Sequence, residues 1–457
     1  MEKAAVVLAA GHGTRMRSNK AKVLHEIWGK PMIAHVVETY LAAGIDRIIV
    51  VVGHQGAEVE KFLQDYAAVE VVWQREQLGT GHAVMQARQA LADGSGPVLV
   101  GYGDSPLYRP ETLAKLFEQH EAEGAACTCL SAIYRDPTGY GRIVRDEEGN
   151  FAAIVEEKDA DPEQKKICEI NTGVGVYQRE ALFACLEEVN NDNAQGEYYL
   201  TDVPAILRQK GQRVALVVCP DPEETLGINT KVQLAEAAAV MRTRVLEELM
   251  LAGVSIIDPA TTYIDADVKI APDTVIYPFT IIQGKTRIDE SAIIGPHTRI
   301  VDCEIGAGAE IVQSTLLESK VGRETTVGPY AYLRPNSVIG DHVRIGDFVE
   351  IKNSNVADYA KIPHLSYVGD ADVGVNANVG AGTITCNFDG ERKHRTVIAD
   401  NAFIGSNSNL VAPVSIGEGA YIAAGSTITK DVPAKALGIG RSRQSVREGW
   451  VESRKKK

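Results

Sequence analysis

The first residues that could carry chemistry lie in a glycine-rich, basic loop near the start of the chain. The stretch VVLAAGHGTRMRSNKAKVLHEIWGKP, residues 6–31, opens with an apolar run and then offers Gly11, Gly13, Arg15 and Lys22. A strand-to-helix turn needs only a few residues, whereas about eighteen here show no regular pattern. Glycines let backbone N–H groups approach a ligand, and the two cations add positive charge. The loop therefore suits nucleotide phosphates, with a mobile basic loop as the alternative.

This loop matches neither of the two common phosphate-binding motifs. The dinucleotide fingerprint would need a third glycine where Met16 stands, and no Gly-Lys-Ser/Thr follows as a P-loop requires. The sequence therefore predicts a phosphate loop of another kind.

Further polar residues follow predicted strands, where ligands bind in open parallel sheets. They are Gln74 and the pair Gly79–Thr80 in WQREQLGTGHA, Gly103 and Asp104 in GYGDSP, and Asn229 in GINT. An Asp before Ser-Pro is often only a turn residue. Beside a phosphate loop, Asp104 is predicted to be a Mg²⁺ ligand, because hard cations take carboxylate, amide and phosphate oxygens.

A second group of candidates lies in the C-terminal half. Arg334 in YLRPNS and Lys352 in EIKNS stand eighteen positions apart, so three six-residue repeats per coil would stack them on one wall. Such a pair suits a phosphate, with two solvated charges as the alternative. His364 and Tyr367 follow in IPHLSYVGD, and an imidazole can act as a general base near neutral pH.

The candidates of the N-terminal half lie in a region where strand-like apolar runs alternate with helical patterns. From residue 1 to about 227, strand-like runs precede helical patterns at 31–44, 57–66, 79–91 and 110–120. This alternation predicts a mainly parallel sheet covered on both faces. Residues 231–252 form one predicted connecting helix, ended by Gly253.

The second group of candidates lies in a region where an apolar residue recurs every six positions. An aliphatic residue per short strand, with tight turns between, is the hexapeptide β-helix signature, whereas a β-sandwich would show spacings of about 8 to 12 residues. The segment CNFDGERKHRT, 386–396, interrupts the period and is predicted to leave the solenoid as a loop. The repeated positions are Ile264, Ile270, Ile276, Ile282, Ile288, Ile294, Ile300, Ile305, Ile311, Leu317, Val321, Val327, Leu333, Ile339, Ile345, Ile351, Val356, Ile362, Val368, Val373, Val379, Ile398, Ile404, Leu410, Ile416, Ile422 and Ile428.

Composition excludes several classes of protein. A length of 457 residues predicts two or three domains, and a net charge of −14 argues against a nucleic-acid-binding protein. No apolar stretch is long enough to span a membrane, and the N-terminal apolar run is predicted to be the first strand instead of a signal peptide. Seven scattered cysteines favour a reducing cytoplasm, and Cys127 and Cys129 are predicted core residues without the further ligands of a metal site.

Motifs across nearly the whole chain resemble one family of nucleotide-sugar pyrophosphorylases. Together they resemble the bifunctional N-acetylglucosamine-1-phosphate uridylyltransferase/glucosamine-1-phosphate N-acetyltransferases. The motifs are LAAGHGTRM, KVLH, EQLGTGHA, GYGD, PTGYGRIVR, EINTG, HLSYVGDA, NVGAGTITCNFDG and EGW.

The resemblance implies an α/β fold class in two parts. An N-terminal, mainly parallel-sheet, Rossmann-like nucleotidyltransferase domain would precede a C-terminal left-handed parallel β-helix of hexapeptide repeats. The expected division is a uridylyltransferase domain at 1–228, a linker helix at 229–252, the acetyltransferase domain at 253–437 and a tail at 438–457. The basic end of that tail, ESRKKK, is predicted to be disordered and solvated.

The same resemblance implies roles for residues at matching positions. The uridine nucleotide and sugar nucleotide would be held by Leu8, Ala9, Ala10, Gly11, Lys22, Gln74, Gly79, Thr80, Tyr102, Gly103, Asp104, Gly141, Glu156, Asn171 and Asn229. Asp104 and Asn229 would hold Mg²⁺, Arg15 and Lys22 would assist catalysis by neutralising charge, and His364 would be the acetyl-transfer base. The acetyl acceptor would contact Arg334, Lys352, Tyr367, Asn378 and Asn387. Acetyl-CoA would contact Ala381, Asn387, Phe388, Ser406, Ala424 and Arg441.

The resemblance further implies a cytoplasmic homotrimer that makes UDP-N-acetylglucosamine for cell-wall and lipopolysaccharide precursors. Its partners would be glucosamine-1-phosphate, N-acetylglucosamine-1-phosphate, UTP and acetyl-CoA, with no nucleic acid and no membrane span. Four residues depart from the family pattern: His12, Ile362, Pro363 and Phe388. Two alternatives stay open, a single-activity nucleotidyltransferase whose solenoid only oligomerises and a sensor that binds nucleotide sugars without turnover.

Overall fold

The computed structural model describes residues 2–454, so residues 455–457 of the predicted basic tail lie outside the described residues. The chain forms two compact units, Met1–Met241 and Arg242–Lys457. The four-part division expected from the sequence stays a prediction.

The first unit is built on a nine-stranded mixed sheet, with a small two-stranded hairpin beside it. The strands of this unit are β1 Ala4–Ala9, β2 Glu26–Ile27, β3 Lys30–Pro31, β4 Arg47–Val52, β5 Val69–Trp73, β6 Val98–Tyr102, β7 Cys127–Ile133, β8 Arg142–Arg145, β9 Phe151–Val155, β10 Glu169–Tyr177 and β11 Val214–Val218. Its helices are α1 Met32–Ala42, α2 Gly56–Leu63, α3 Thr80–Met85, α4 Pro110–Glu123, α5 Arg179–Leu186 and α6 Val203–Gln209.

The sheet carries helices on both faces, as the strand–helix alternation predicts. Its central order is β11-β7-β10-β6-β1-β4-β5, with β8 and β9 attached beside β10. Successive side chains of a strand point to opposite faces. Accordingly, Ala5 and Val7 of β1 pack with α1 and α4, whereas Ala4 and Val6 pack with α3 and α5. The pairs β1–β4, β1–β6 and β4–β5 are parallel, and β10 runs antiparallel between β6 and β7.

Two local expectations need correction. The segment between β1 and α1 contains two short 3₁₀ turns, Thr14–Met16 and Lys22–Leu24, and the β2–β3 hairpin, so it is more ordered than the sequence predicts. The helix predicted over 79–91 ends at Met85. The next residues form tighter turns, in which a backbone N–H donates to the carbonyl three residues earlier instead of four.

The second unit begins in helix α7, Lys231–Leu251, and continues as a parallel β-helix with three walls. The first wall contains Ser255–Ile256, Val275–Ile276, Ile293–Ile294, Glu310–Ile311, Thr326–Val327, Arg344–Asp347, Lys361–His364, Asn378–Val379, Phe403–Ile404, Tyr421–Ile422 and Leu437–Gly438. The second wall contains Tyr263–Ile264, Ile281–Gln283, Arg299–Val301, Thr315–Leu317, Tyr332–Leu333, Glu350–Lys352, Tyr367–Gly369, Ile384–Cys386, Asn409–Val411 and Thr427–Ile428. The third wall contains Lys269–Ile270, Arg287–Ile288, Glu304–Ile305, Lys320–Val321, Val338–Ile339, Asn355–Val356, Ala371–Val373, Thr396–Ile398 and Val414–Ile416.

Aliphatic side chains of the short strands fill the interior of this β-helix, which confirms the period-six interpretation. One predicted interior position is wrong. Leu316 is fully buried, whereas Leu317 is half-buried. Adjacent leucines are equally apolar, so the sequence pattern does not show which one faces inward.

The interruption in the repeats leaves the solenoid where the sequence predicts. The strand Ile384–Cys386 places Thr385 inside, and the chain resumes the coil at Thr396. Between them, Phe388 pairs with Lys393 to close a short hairpin-like loop.

The C-terminal tail differs from its prediction. Residues Trp450–Arg454 form a short exposed helix, α8, in which the Arg454 guanidinium lies 4.8 Å from the Trp450 ring centroid. That cation–π contact stabilises a turn in a segment predicted to be disordered. Within residues 2–454, no helix has both the length and the apolar character needed to cross a membrane.

Candidate functional site

The glycine-rich loop folds back so that its two ends touch. Gly13 has a left-handed backbone (φ 61°), and a Cβ there would lie 2.9 Å from the Cβ of Lys22. A side chain at this position would therefore be both strained and crowded. Gly11 has open space where a Cβ would project, which leaves its backbone accessible to a ligand.

Folding of the loop brings its two cations to one amide oxygen. Arg15 donates to the Asn229 Oδ1 (2.9 Å), and the Lys22 Nζ donates to the same oxygen (2.7 Å). The Lys22 ammonium also forms an ion pair with the Asp104 carboxylate. The structure thus brings Asp104 and Asn229, the two predicted metal ligands, to one cationic group.

A cavity of about 410 Å³ opens beside this cluster. Ten of the predicted nucleotide residues line it: Leu8, Ala9, Ala10, Gly11, Lys22, Gln74, Gly79, Thr80, Tyr102 and Asp104. Gly103 lies behind this wall, where its N–H donates to the Leu8 carbonyl (3.0 Å). Because β1 and β6 are adjacent and parallel, their carboxyl ends deliver Leu8 and Tyr102 to the same edge of the sheet.

The start of α3 forms the opposite side of the cavity. Gly79 has φ 113°, and a Cβ there would lie 2.6 Å from the Tyr198 carbonyl oxygen. Buried Gln74 donates to the Gly79 carbonyl (3.1 Å), and Thr80 Oγ1 accepts from the Leu200 N–H (3.0 Å). These bonds hold the beginning of the helix rigidly against the cavity.

The predicted sugar-nucleotide residues form a neighbouring group. Gly141 lies next to Glu156, since a Cβ on that glycine would be 3.5 Å from the carboxylate, and the Gly141 carbonyl accepts from the Asn171 N–H (2.8 Å). Burial raises the pKa of Glu156, and a hydrogen bond from Thr201 (3.1 Å) opposes that shift. Burial is the main cause that raises the pKa of Tyr102, and the Glu156 and Asp104 carboxylates add to it; Tyr102 also lines the cavity beside the phosphate loop.

The sequence did not identify several residues that line this cavity. They include His54, Gln77 and Glu197. Gln77 lies in the same QREQ run as Gln74 and could have been found from it. The His54 ring lies 5.1 Å from that of His12, one of the departures from the family pattern.

In the second unit, the predicted phosphate residues occupy adjacent coils. Leu333 pairs with Ile351, and the Arg334 N–H donates to the Ile351 carbonyl (2.8 Å), which places Arg334 beside Lys352 on the second wall. The Arg334 guanidinium donates to the Glu350 carboxylate (2.8 Å), which raises the pKa of Arg334. The sequence did not identify Glu350 as this partner.

The protruding loop meets the same wall. The Asn387 amide donates to the Tyr367 hydroxyl (3.4 Å) and to Asp370. Lys393 was not predicted from the sequence, yet the neighbouring Lys352 ammonium lowers its pKa. A phosphate dianion between the two ammonium groups would relieve their repulsion.

His364 lies at the end of the first wall, in a column of residues from successive coils. Hydrogen bonds from Gly382 to the Leu365 carbonyl (3.0 Å), from Asn407 to the Ala381 carbonyl (2.7 Å) and from Gly425 to the Ser406 carbonyl (2.8 Å) connect the coils. The resulting order of the column is His364, Ala381, Ser406 and Ala424. Arg441 lies beside its far end, 4.0 Å from the position of a Cβ on Gly425.

Two predicted contacts lie apart from this column. Asn378 pairs with Lys361, three residues before His364 on the same wall. Phe388 is exposed on the protruding loop. The column therefore contains the predicted base and three of the predicted acetyl-CoA residues, whereas Asn378 and Phe388 lie outside it.

The chain matches known families in both halves. Residues 5–152 match the MobA-like NTP transferase domain, and residues 318–353 and 395–430 match the bacterial transferase hexapeptide (six repeats). A relative from Heliobacterium modesticaldum, "Bifunctional protein GlmU", is 53% identical over 98% of both chains. The protein of the same name from Caldanaerobacter subterraneus is 55% identical over 100% of this chain and 99% of the relative. The chain belongs to the bifunctional GlmU family.

Membership of the GlmU family confirms the resemblance and the two-part fold class predicted from the sequence. It identifies the chain as a transferase that joins a nucleotidyltransferase domain to a hexapeptide-repeat acyltransferase domain. The roles of individual residues remain predictions, which the geometry above supports to different degrees.

Proposed function

We propose that this enzyme makes UDP-N-acetylglucosamine in two steps at two separate sites. It transfers an acetyl group from acetyl-CoA to glucosamine-1-phosphate, and it then transfers a uridylyl group from UTP to N-acetylglucosamine-1-phosphate with release of pyrophosphate. The observation that carries this proposal is that one chain holds both the cationic cavity of the first unit and the His364 column of the second.

The donor set in the cavity fits a divalent cation. A carboxylate oxygen of Asp104 and the amide oxygen of Asn229 converge on one cationic group, the Lys22 ammonium. Oxygen donors of these types are the ligands that Mg²⁺ prefers. Among the described residues, no group of three or more His, Cys, Asp or Glu side chains is arranged to hold a metal, so substrate phosphates would supply further ligands. When bound, Mg²⁺ would neutralise charge on those phosphates.

Uridylyl transfer at this cavity requires positioning more than proton transfer. A phosphate oxygen of the sugar-1-phosphate attacks the α-phosphorus of UTP, and the bond to pyrophosphate breaks. The attacking oxygen is already ionised near neutral pH, so the step needs no general base. Arg15 and Lys22 would neutralise the triphosphate, while Glu156 and Asn171 would orient the sugar.

Acetyl transfer in the second unit does require a base. The amine nitrogen of glucosamine-1-phosphate attacks the thioester carbonyl carbon; the C–N bond forms and the C–S bond breaks. His364 would take the amine proton and return it to the departing sulfur. Arg334 and Lys352 would hold the sugar phosphate, and the column of small residues above His364 leaves room for the acetyl donor.

We also infer that the small molecules named above are its partners and that it acts as a cytoplasmic homotrimer. The family resemblance supports these inferences. Sedimentation velocity of the full chain tests the trimer, and a monomer active in both steps would contradict it.

One incubation tests both activities. The full chain is mixed with glucosamine-1-phosphate, acetyl-CoA, UTP and MgCl₂, and we expect UDP-N-acetylglucosamine, pyrophosphate and free coenzyme A thiol. With EDTA in place of MgCl₂, N-acetylglucosamine-1-phosphate should accumulate. Pyrophosphate release from pre-acetylated substrate without any thiol release would reduce the protein to a single-activity nucleotidyltransferase, and binding without either product would indicate a sensor.

A further inference from the structure

The imidazole of His364 forms a short hydrogen bond to a residue that was not predicted from the sequence. Its Nδ1 lies 2.6 Å from Oδ1 of Asp347, seventeen residues earlier in the chain. Asp347 and His364 pair directly in the parallel register of the first wall, and the Leu365 N–H donates to the Asp347 carbonyl (2.8 Å). The backbone therefore places the two side chains next to each other in consecutive coils.

This contact determines which ring nitrogen is available. An ionised carboxylate can only accept hydrogen bonds, so Nδ1 must be the donor and the Nε2 of neutral His364 carries the lone pair. The hydrogen bond from His364 is the main cause that lowers the pKa of Asp347, with Arg344 adding to it. A lowered pKa keeps the carboxylate ionised throughout the neutral range, so it accepts the bond at any practical assay pH.

We propose that Asp347 is a positioning residue for acetyl transfer: it fixes the imidazole of His364 in the tautomer whose Nε2 takes the amine proton. The proposal rests on the proposed function of His364 as the base. When Nε2 accepts the proton, the ring becomes an imidazolium that the Asp347 carboxylate stabilises. The proton then passes to the sulfur of the departing thiolate, which restores neutral His364.

The surroundings of the pair do not duplicate this role. Arg344 and Lys361 are the other charged residues on the two paired strands, and both are cations. The strand on the other side of His364, Asn378–Val379, carries no ionisable side chain. Across the corner, Glu350 is bonded to Arg334. Among the described residues of these strands, Asp347 is therefore the one carboxylate that contacts the His364 imidazole.

The expected effect is smaller than that of the buried aspartate in a serine-protease triad. The side chains of His364 and Asp347 are 53% and 40% exposed, so water competes for the hydrogen bond and screens the charge. Loss of a triad aspartate lowers kcat by about 10⁴. For Asp347→Asn and Asp347→Ala we expect kcat for acetyl transfer to fall by about 10-fold, within the modest range that a half-exposed partner allows.

The test compares these variants with a matched control in the full chain. Glu324→Gln removes another histidine–carboxylate pair of the same solenoid, with His342 (3.2 Å), at a different corner from the His364 column. We measure kcat and KM for acetyl transfer at one neutral pH, and the His364 tautomer by ¹⁵N NMR. We expect the Asp347 variants to lose kcat with KM changed less than about twofold.

The NMR spectra separate a positioning role from a structural one. Wild type and Glu324→Gln should show the Nδ1–H tautomer of His364, and Asp347→Ala should show a mixture. Asp347→Glu should recover part of kcat. Unchanged kcat and tautomer in Asp347→Ala would overturn the proposal, as would a loss of kcat with the tautomer unchanged. Absence of acetyl transfer from the wild-type chain itself would overturn the proposed function and this inference with it.

Discussion

The cation cluster of the first unit consists of Arg15, Lys22, Asp104 and Asn229. Replacement of Asp104 by asparagine tests its function most directly. The carboxylate of Asp104 and the Lys22 ammonium form an ion pair whose side chains are each only 17% exposed. The substitution keeps the shape and one oxygen donor but removes a full negative charge. Two unit charges about 4 Å apart interact by about 4 kcal/mol at an effective dielectric constant of about 20. At about 1.4 kcal/mol per factor of ten, the upper limit of the effect is about 10³ in rate.

We therefore expect Asp104→Asn to lower kcat/KM for uridylyl transfer by about 10²- to 10³-fold, because the amide oxygen retains part of the ligation. The assay follows pyrophosphate release from UTP and N-acetylglucosamine-1-phosphate over a range of MgCl₂ concentrations, and the variant should need more MgCl₂. Acetyl transfer, measured as thiol release in the same preparation, should stay within twofold of wild type.

Glu26→Gln is the matched control. It removes the partner of Lys20 (3.0 Å), an exposed ion pair of the segment between β1 and α1, so uridylyl transfer should be unaffected. Uridylyl transfer above one-tenth of wild type in Asp104→Asn would refute the assignment of the cation cluster. Equal loss of both activities would instead indicate misfolding or one site shared by the two reactions.

Three further perturbations address other parts of the molecule. His364→Ala should lower acetyl transfer by about 10² to 10⁴, the usual range for a positioned base, while uridylyl transfer from pre-acetylated substrate survives; near-normal acetyl transfer would contradict the assignment. Glu156→Gln should raise thermal stability at pH 8 and lower sugar-nucleotide affinity. Burial raises the pKa of Glu156 above its unfolded value, so ionisation costs stability as pH rises through the folded pKa, and the gain should vanish below about pH 4, where both states are protonated. Gly79→Ala should destabilise the first unit by about 1 to 3 kcal/mol, because its left-handed backbone and the Tyr198 carbonyl leave no room for a Cβ; denaturant unfolding measures this, and an unchanged midpoint would contradict the reasoning.

The sequence predicts those parts of the fold that depend on local periodicity. Alternating strands and helices determine a sheet covered on both faces, and the period of six determines the β-helix. Errors occur where several residues satisfy the pattern equally well. Leu316 and Leu317 are both apolar, and the residues after Met85 keep helical composition while adopting tighter turns. Tertiary packing decides such cases.

The residues of the candidate sites likewise fall into those that a sequence pattern could predict and those that it could not. Motif residues near strand ends, such as Gln74 and Asp104, could be predicted because the topology of a parallel sheet brings those ends together. Glu350, Lys393 and Asp347 are ordinary surface types whose significance depends on a partner one coil or one loop away. The eighteen-residue spacing that placed Arg334 beside Lys352 would have put Gly346 beside His364, whereas Asp347 pairs with His364 because this coil is one residue shorter.

The two architectures suit the two reactions for different physical reasons. Nucleotidyl transfer has an ionised nucleophile and concentrated phosphate charge, so it needs cations and N–H groups gathered from distant segments, as Lys22 and Asn229 are gathered at the edge of the sheet. In acetyl transfer the two groups that react, a free amine and a thioester, are uncharged, so the step needs one base held at a fixed angle to an extended donor. The β-helix repeats its backbone hydrogen bonds from coil to coil, which holds His364 in line with Ala381 and Ser406. A residue that orients the base is then most easily supplied from the preceding coil, at the position that Asp347 occupies.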